Sequence, residues 1–331
     1  MSKLVTIYGG SGFVGRYIVR RLAKNGWRVR VAVRRPNEAM HVKPYGTVGQ
    51  VEPVFCNIRD DASVRAVMQG ADAAVNCVGI LNEIGRQKFG DVQHAGAERI
   101  ARIAAEAGVG ALVHLSAIGA DPESNSKYAR SKALGEQGVL KHFPNANILR
   151  PSVVFGAEDQ FFNRFASMAR FGPVLPLVGA NTLFQPVFVD DVAAAATRLL
   201  LGFGKPGIYE LGGPEIDSLR GFVERMLKVI HRRRLVLNMP FFAGGIIATG
   251  FDAVQAVTLG LVSNGILTRD QLKNLRHDNV VSEGAAGLSD LGIEASACDA
   301  VLPEYLWRFR PAGQYDAIKD SAKNLKSWAR H

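Results

Sequence analysis

The sequence predicts an α/β protein built on a doubly wound parallel sheet, with a smaller C-terminal region, and three observations predict it. Short β-rich apolar runs alternate with amphipathic segments through the first 150 residues, the signature of repeated strand-helix-strand units. The first run, Leu4 to Tyr8, passes straight into a glycine-punctuated turn and then a helical pattern at Val14, Ile18 and Leu22. The chain has 331 residues, 47% of them hydrophobic, enough to bury a large core in one domain or two.

The elements follow in order. After the first helix, Gly26 is placed to end it at C′. A strand is expected over Trp27–Val33, another over Val51–Phe55, and a helix near Ala62–Met68 that Asp60 or Asp61 can cap. A strand at Ala73–Val78, a helix at Val92–Ala107, a strand at Ala111–Leu115, a helix at Ser126–His142 and a strand at Ile148–Arg150 complete a nucleotide-binding half over residues 1–150. From 151 to 331 the pattern shortens and loops increase, with Phe188-Val189-Asp190-Asp191-Val192 leading into an alanine-rich helix at Ala193–Leu201. This region is expected to interleave with the sheet. The run Met239–Val262 is strongly apolar, but Gly244, Gly245, Gly250 and Gly260 interrupt it and Asp252 lies inside it. A bilayer-spanning helix needs about 20 mostly apolar residues, so this run is expected to pack or to lie at an interface.

The turn after the first strand carries the chemistry. Gly10, Gly12 and Gly15 fit G-x-G-x-x-G, while Gly9, Gly12 and Gly15 fit G-x-x-G-x-x-G. Either spacing lets the backbone approach a dinucleotide pyrophosphate and turns the free amides of one helix N-terminus toward it. About 20 residues on, where an NAD site places a carboxylate, stand Arg34 and Arg35. Guanidinium groups there grip a 2′-phosphate, so NADPH is the expected cofactor. Arg16 is a second candidate for a phosphate contact, Asn57 and Ile58 for the adenine border, and Cys77-Val78-Gly79 for the shelf beneath the cofactor. Ser116 ends a strand, and Tyr128 and Lys132 follow at a separation of four, on one helical face. Lys132 would favour the phenolate of Tyr128 and hydrogen-bond the nicotinamide ribose, and Ser116 would orient a substrate oxygen. His94 and His114 read as scaffold histidines.

Cys56, Cys77 and Cys298 are too scattered for a disulfide framework, and no Cys/His cluster has metal-ligand spacing. A reducing compartment and no metal are expected. Because Leu4 opens the first strand, no targeting segment is expected before it. A bacterial cytoplasm or a processed chain fits. The net charge of +10 suits nucleic acid, an anionic membrane surface or an acidic protein. No aromatic-interleaved basic motif selects nucleic acid. The charge clusters at Arg232-Arg233-Arg234 and at Lys319, Lys323, Lys326 and Arg330, which also fits ordinary solvated faces.

These residues resemble the extended or atypical short-chain dehydrogenase/reductases over nearly the whole chain. Supporting pieces are Leu149-Arg150-Pro151-Ser152-Val153-Val154-Phe155-Gly156, Val189-Asp190-Asp191-Val192 and Tyr209-Glu210-Leu211-Gly212-Gly213. Within that superfamily, Gly12 to Tyr17, Phe161 to Gly172, Gln185-Pro186-Val187 and Leu267-Thr268-Arg269-Asp270-Gln271 resemble the nucleotide-binding accessory subunits of respiratory complex I, in a bacterial version. The resemblance implies a tightly held, structural NADPH in a subunit docked on the peripheral arm near the membrane and the quinone site, with other complex I subunits and anionic lipids as partners and no nucleic acid. It implies a place on the cytoplasmic face of the bacterial inner membrane. It implies phosphate-side contacts from Gly9, Gly10, Ser11, Gly12, Phe13, Val14, Gly15, Arg16 and Arg34, and nicotinamide-side contacts from Tyr128, Lys132, Pro151 and Val154. The alternative left open is a free-standing NADPH-dependent reductase or sugar-nucleotide epimerase using Ser116, Tyr128 and Lys132.

Overall fold

The computed structural model describes residues 2–246, 249 and 268–315. In chain order its first elements are β1 (Leu4–Tyr8), α1 (Phe13–Lys24), β2 (Arg28–Val33), β3 (Val51–Phe55), α2 (Asp61–Met68), β4 (Ala73–Asn76), α3 (Ala95–Glu106), β5 (Ala111–Leu115), α4 (Lys127–His142) and β6 (Asn147–Pro151). There follow β7 (Val154–Phe155), α5 (Phe162–Phe171), β8 (Val174–Val178), β9 (Leu183–Phe184), β10 (Val187–Phe188), α6 (Val189–Leu200), β11 (Ile208–Leu211), β12 (Asp217–Ser218), α7 (Leu219–Val229) and β13 (Leu235–Met239). Two short helices, Arg269–Asn274 and Cys298–Leu306, come last.

Seven strands form one parallel sheet in the order β11-β6-β5-β4-β1-β2-β3, so the doubly wound fold expected from the alternating pattern is present. β1 pairs with β2 on one side and β4 on the other. The crossovers reverse direction there, which opens a crevice beyond the carboxyl ends of β1 and β4. Strand alternation sends Val5 and Ile7 to one face, against Ile18, Val19 and Leu22 of α1 and Val192, Ala195 and Ala196 of α6. Tyr8, Ala74, Leu112 and Ile148 face the other side, against Val64 and Met68 of α2 and Ile100, Ile103 and Ala104 of α3. A separate core around Phe155, Phe162, Leu175, Phe184, Phe222 and Met226 builds the C-terminal lobe.

β3 and β5 occupy the expected residues, and Gly26 takes φ +79° beyond α1 as a C′ residue does. Asp60 accepts from the amides of Ala62 and Ser63, which makes it the cap of α2. Three expectations change. β4 stops at Asn76, whose carboxamide oxygen takes the Val78 amide (3.0 Å) and bends the chain. The helix expected from Val92 opens with a π-turn at Gly90–His94 before α3 begins at Ala95. α6 starts at Val189, four residues before the alanine run, because Asp190 and Asp191 suit its first turn and Arg21 of α1 clasps Asp190 with two 2.8 Å hydrogen bonds.

β11, from beyond residue 151, supplies an edge strand of the main sheet. The segment 282–286 runs along it, with the Glu210 amide donating to the Ala286 carbonyl and the Ser282 amide to the Glu210 carboxylate. The opposite edge, β3, carries Pro53 in mid-strand. In the C-terminal lobe β8 and β13 form a two-stranded parallel pair, with Leu235 opposite Val174. Of the apolar run Met239–Val262, residues 241–246 are helical and 251–262 lie outside the described residues, as do Lys319, Lys323, Lys326 and Arg330. Among the described residues no helix is long and apolar enough to cross a membrane.

Candidate functional site

The glycine turn sits at the mouth of the β1/β4 crevice, and sterics dictate its composition. Gly9 adopts φ +74°, a left-handed conformation that favours glycine. A Cβ on Gly15 would lie 2.4 Å from the Gly9 carbonyl oxygen and 2.7 Å from Gly10 Cα, so α1 packs directly on the turn. A Cβ on Gly12 would lie 3.1 Å from the Gly9 oxygen. Gly12 is the N-cap of α1, no side chain caps it, and no acidic residue occupies the first turn. Among the described residues the Phe13 and Val14 amides have no hydrogen-bond partner. Unpaired helix N-terminal donors of this kind take an anion.

The arginines divide. Arg34 is exposed and makes no hydrogen bond or ion pair among the described residues, whereas Arg35 is paired with Glu38 at 3.0 Å. Arg16 donates to the Gly12 and Ser11 carbonyls and to Glu158, each at 3.2 Å, and Tyr17 donates to the same carboxylate at 3.0 Å. Arg16 thus buttresses the turn. At the end of β3, Asn57 receives the Arg59 amide and Ile58 is buried in the core. The Cys77-Val78 segment lies against Gly9, and burial pushes the Cys77 thiol up to about 12.

At the nicotinamide end α4 carries both expected side chains. A Cβ on Gly79 would stand 3.5 Å from Lys132 Nζ, so the shelf and the lysine meet. Lys132 is buried and donates to the Leu115 carbonyl at 3.0 Å. Burial lowers its pKa to about 8, with Glu136 and Cys77 acting in the opposite direction. Burial pushes the Tyr128 phenol up to about 12, and the Phe89 ring meets it edge-on at 6.0 Å. The expected depression of Tyr128 by Lys132 is not found. Ser116 donates its hydroxyl to Glu136, which also receives Arg150 Nε (3.0 Å) and Nη2 (2.6 Å). The hydroxyl expected to orient a substrate oxygen is therefore held by a buried ion pair. Pro151 accepts the Ile118 amide at 3.0 Å, and Val154 pairs with Val187 across β7 and β10.

Two residues at this end are given no role in the site from the sequence, although Asp270 stands in one of the segments that carry the resemblance. Glu136 lies one helical turn beyond Lys132, and that spacing was the available signal. Asp270 lies far along the chain, yet its carboxylate accepts Ser126 Oγ (2.8 Å), Lys127 N (2.8 Å) and Tyr128 N (3.0 Å) at the start of α4. His114 on β5 is buried, accepts from Asn76 at 3.1 Å and is held neutral, its pKa lowered to about 3 by burial and by Lys132.

Residues 5–212 match the NAD dependent epimerase/dehydratase family. Over 316 residues the chain is 34% identical to the mitochondrial NADH dehydrogenase [ubiquinone] 1 alpha subcomplex subunit 9 of Arabidopsis thaliana, covering 94% of this chain and 79% of that protein. The mouse counterpart is 32% identical, covering 93% and 80%. An NADPH-dependent quinone oxidoreductase from Escherichia coli, solved with NADPH, shares the fold at a TM-score of 0.68 and 18% identity, covering 91% of this chain and 98% of that one. The chain belongs to the NAD dependent epimerase/dehydratase family and shares it with these mitochondrial complex I subunits.

Proposed function

We propose that this protein is an NADPH-binding accessory subunit of respiratory complex I with a mainly structural role, peripheral to the membrane near the quinone-reducing region. In a bacterial cell that place is the cytoplasmic face of the inner membrane. One contrast carries the reading: the glycine turn packs closely under α1 and leaves the Phe13 and Val14 amides unpaired, while the Ser116 hydroxyl near Lys132 is engaged by Glu136. Residues 1–150 hold the nucleotide and 151–331 supply docking surfaces. The relatives over most of their length are complex I subunits, which supports the same company for this chain.

The residues present fit NADPH. The Phe13 and Val14 amides and the turn Gly9-Gly10-Ser11-Gly12 would hold the pyrophosphate, Arg34 the 2′-phosphate, and Lys132 the nicotinamide ribose. When bound, NADPH supplies a hydride. Tyr128 keeps its proton throughout the neutral range, since burial raises its pKa to about 12. Lys132, near 8, holds most of its charge at neutral pH. The alternative, a reductase or epimerase, draws support from Tyr128 and Lys132 sharing α4. It requires NADPH consumption that disappears in Tyr128→Phe.

Anionic lipid headgroups are proposed as further partners, on a specific surface of the C-terminal lobe. Arg234 donates to the Ala169 carbonyl (2.7 Å), Arg232 to that of Phe309 (2.8 Å) and Arg310 to that of Val229 (2.9 Å), which gathers guanidinium groups at the ends of α5 and α7. Among the described residues none of Arg170, Arg232, Arg233, Arg234 and Arg310 is ion-paired. Between them Phe171 is 88% exposed, Leu235 59% and Leu237 47%. Parallel strands are ordinarily covered on both faces, and apolar side chains among cations suit a headgroup layer.

Native mass spectrometry of the detergent-extracted assembly tests the whole reading. The expected species is complex I containing this chain and one NADPH. A chain that separates cleanly from complex I, or that is empty and indifferent to added NADPH, overturns it.

A further inference from the structure

The helix Arg269–Asn274 spans two walls of the expected nicotinamide end, the start of α4 and the loop that follows β4. Its Asp270 carboxylate holds the first turn of α4 through Ser126, Lys127 and Tyr128. Lys273 Nζ donates to the Asn125 carbonyl at 3.0 Å, one residue earlier on the same wall. On the other wall Gln271 Nε2 donates to Asn82 at 3.3 Å, in the loop that leaves the Cys77-Val78-Gly79 shelf. That loop is tied back to α4 through Gln93, which donates to the Ile80 carbonyl (2.6 Å) and accepts Ser131 Oγ (2.5 Å). A capping box between Thr268 and Gln271 fixes the start of the short helix, so Asp270 is presented in one orientation.

We infer that Asp270 is a positioning residue of the nucleotide site, and that nucleotide binding and the seating of residues 268–277 are linked through it. This rests on the NADPH-binding reading above. In this structure the helix reaches both walls while Gly79 lies against Lys132 and the Phe89 ring against Tyr128. A nucleotide lodged between those walls fixes their spacing. Linkage is reciprocal, so a seated helix raises nucleotide affinity and a bound nucleotide holds the helix in place. Leu272 and Lys273 of the same helix, with Arg276 just beyond it, line a cavity of about 1000 Å³ together with Asn125, Phe241, Phe242 and Ile246. By the same linkage, nucleotide occupancy bears on the wall of that cavity.

Hydrogen-deuterium exchange on the full-length purified chain, with and without NADPH, tests this. In the unmodified chain NADPH is expected to slow exchange at the glycine turn, at the start of α4 and at 268–277. In Asp270→Ala the glycine turn remains protected while 268–277 exchanges alike in both conditions, and NADPH affinity falls roughly five- to tenfold. Protection of the glycine turn with no change at 268–277 in the unmodified chain overturns the inference. So does an Asp270→Ala chain that keeps the full NADPH effect at 268–277. If Asp270→Ala fails to fold, Asp270→Asn, which retains an acceptor oxygen but not the charge, is expected to show a reduced effect, and an undiminished one refutes the linkage. Absence of protection even at the glycine turn refutes the nucleotide reading itself and the inference with it.

Discussion

Arg34 and Gly15 have separable roles that a nucleotide titration can tell apart. Arg34 is free to meet a 2′-phosphate, so Arg34→Glu is expected to weaken NADPH relative to NADH by roughly ten- to a hundredfold, the range of one lost charge-assisted hydrogen bond set. Parallel titrations of both nucleotides check this, and equal retention of the two places recognition of that phosphate elsewhere. Gly15 acts on the fold. Its Cβ would collide with Gly9 and Gly10, so Gly15→Ala is expected to destabilise by about 1–3 kcal/mol in urea denaturation, even without ligand. Gly12 has more room, and substitution there falls chiefly on nucleotide approach. His114 sets a pH dependence. Its folded pKa of about 3 lies below the unfolded value of 6.5, so the unfolded chain binds the extra proton between those limits. Stability contributed by the neutral ring is complete above about 6.5 and drains away as pH falls toward 3. Chemical denaturation across that window should show a shallower slope in His114→Gln than in the unmodified chain.

Strand and helix boundaries show where local pattern suffices and where tertiary contacts decide. β3 and β5 were legible to the residue because β-rich apolar runs ended at polar turns. The start of α6 was not, because the contact of Asp190 with Arg21 joins residues 169 apart. The same distinction governs the site. The glycine turn, Arg34, Tyr128 and Lys132 lie within short motifs, whereas Asp270 reaches α4 across 142 to 144 positions, and the segment 267–271 that contains it does not say what it touches. Ser116 was legible as a strand end, but the direction of its hydroxyl depends on Arg150 holding Glu136 in place. Glu136→Ala would leave Arg150 with only the longer 3.5 Å contact to Glu210. Removing one member of a buried pair costs on the order of 3–5 kcal/mol. The urea midpoint of Glu136→Ala measures that loss, and an unchanged midpoint would mean that α4 and β6 are held together by apolar packing alone.

On the proposed function the molecule divides its labour between a sheet that holds a nucleotide and a lobe that offers surfaces. Among the described residues Arg170, Arg232, Arg234 and Arg310 cluster at the ends of α5 and α7, where cations favour the helix C-termini. Sedimentation with vesicles containing phosphatidylglycerol is expected to carry the chain down at low salt and to lose it as salt rises, while neutral vesicles leave it in solution. Arg232→Gln with Arg233→Gln and Arg234→Gln should abolish that binding without altering NADPH titrations. Binding that persists in the triple variant assigns the lipid contact to another face. The two borders of the main sheet bear on assembly in a different way. Pro53 removes a donor from one margin, and the strip 282–286 already occupies backbone groups on the other. Neither margin invites a foreign strand to extend the ladder. At the main sheet, then, any contact between molecules falls to side-chain relief, which keeps copies of the chain from zipping together along it.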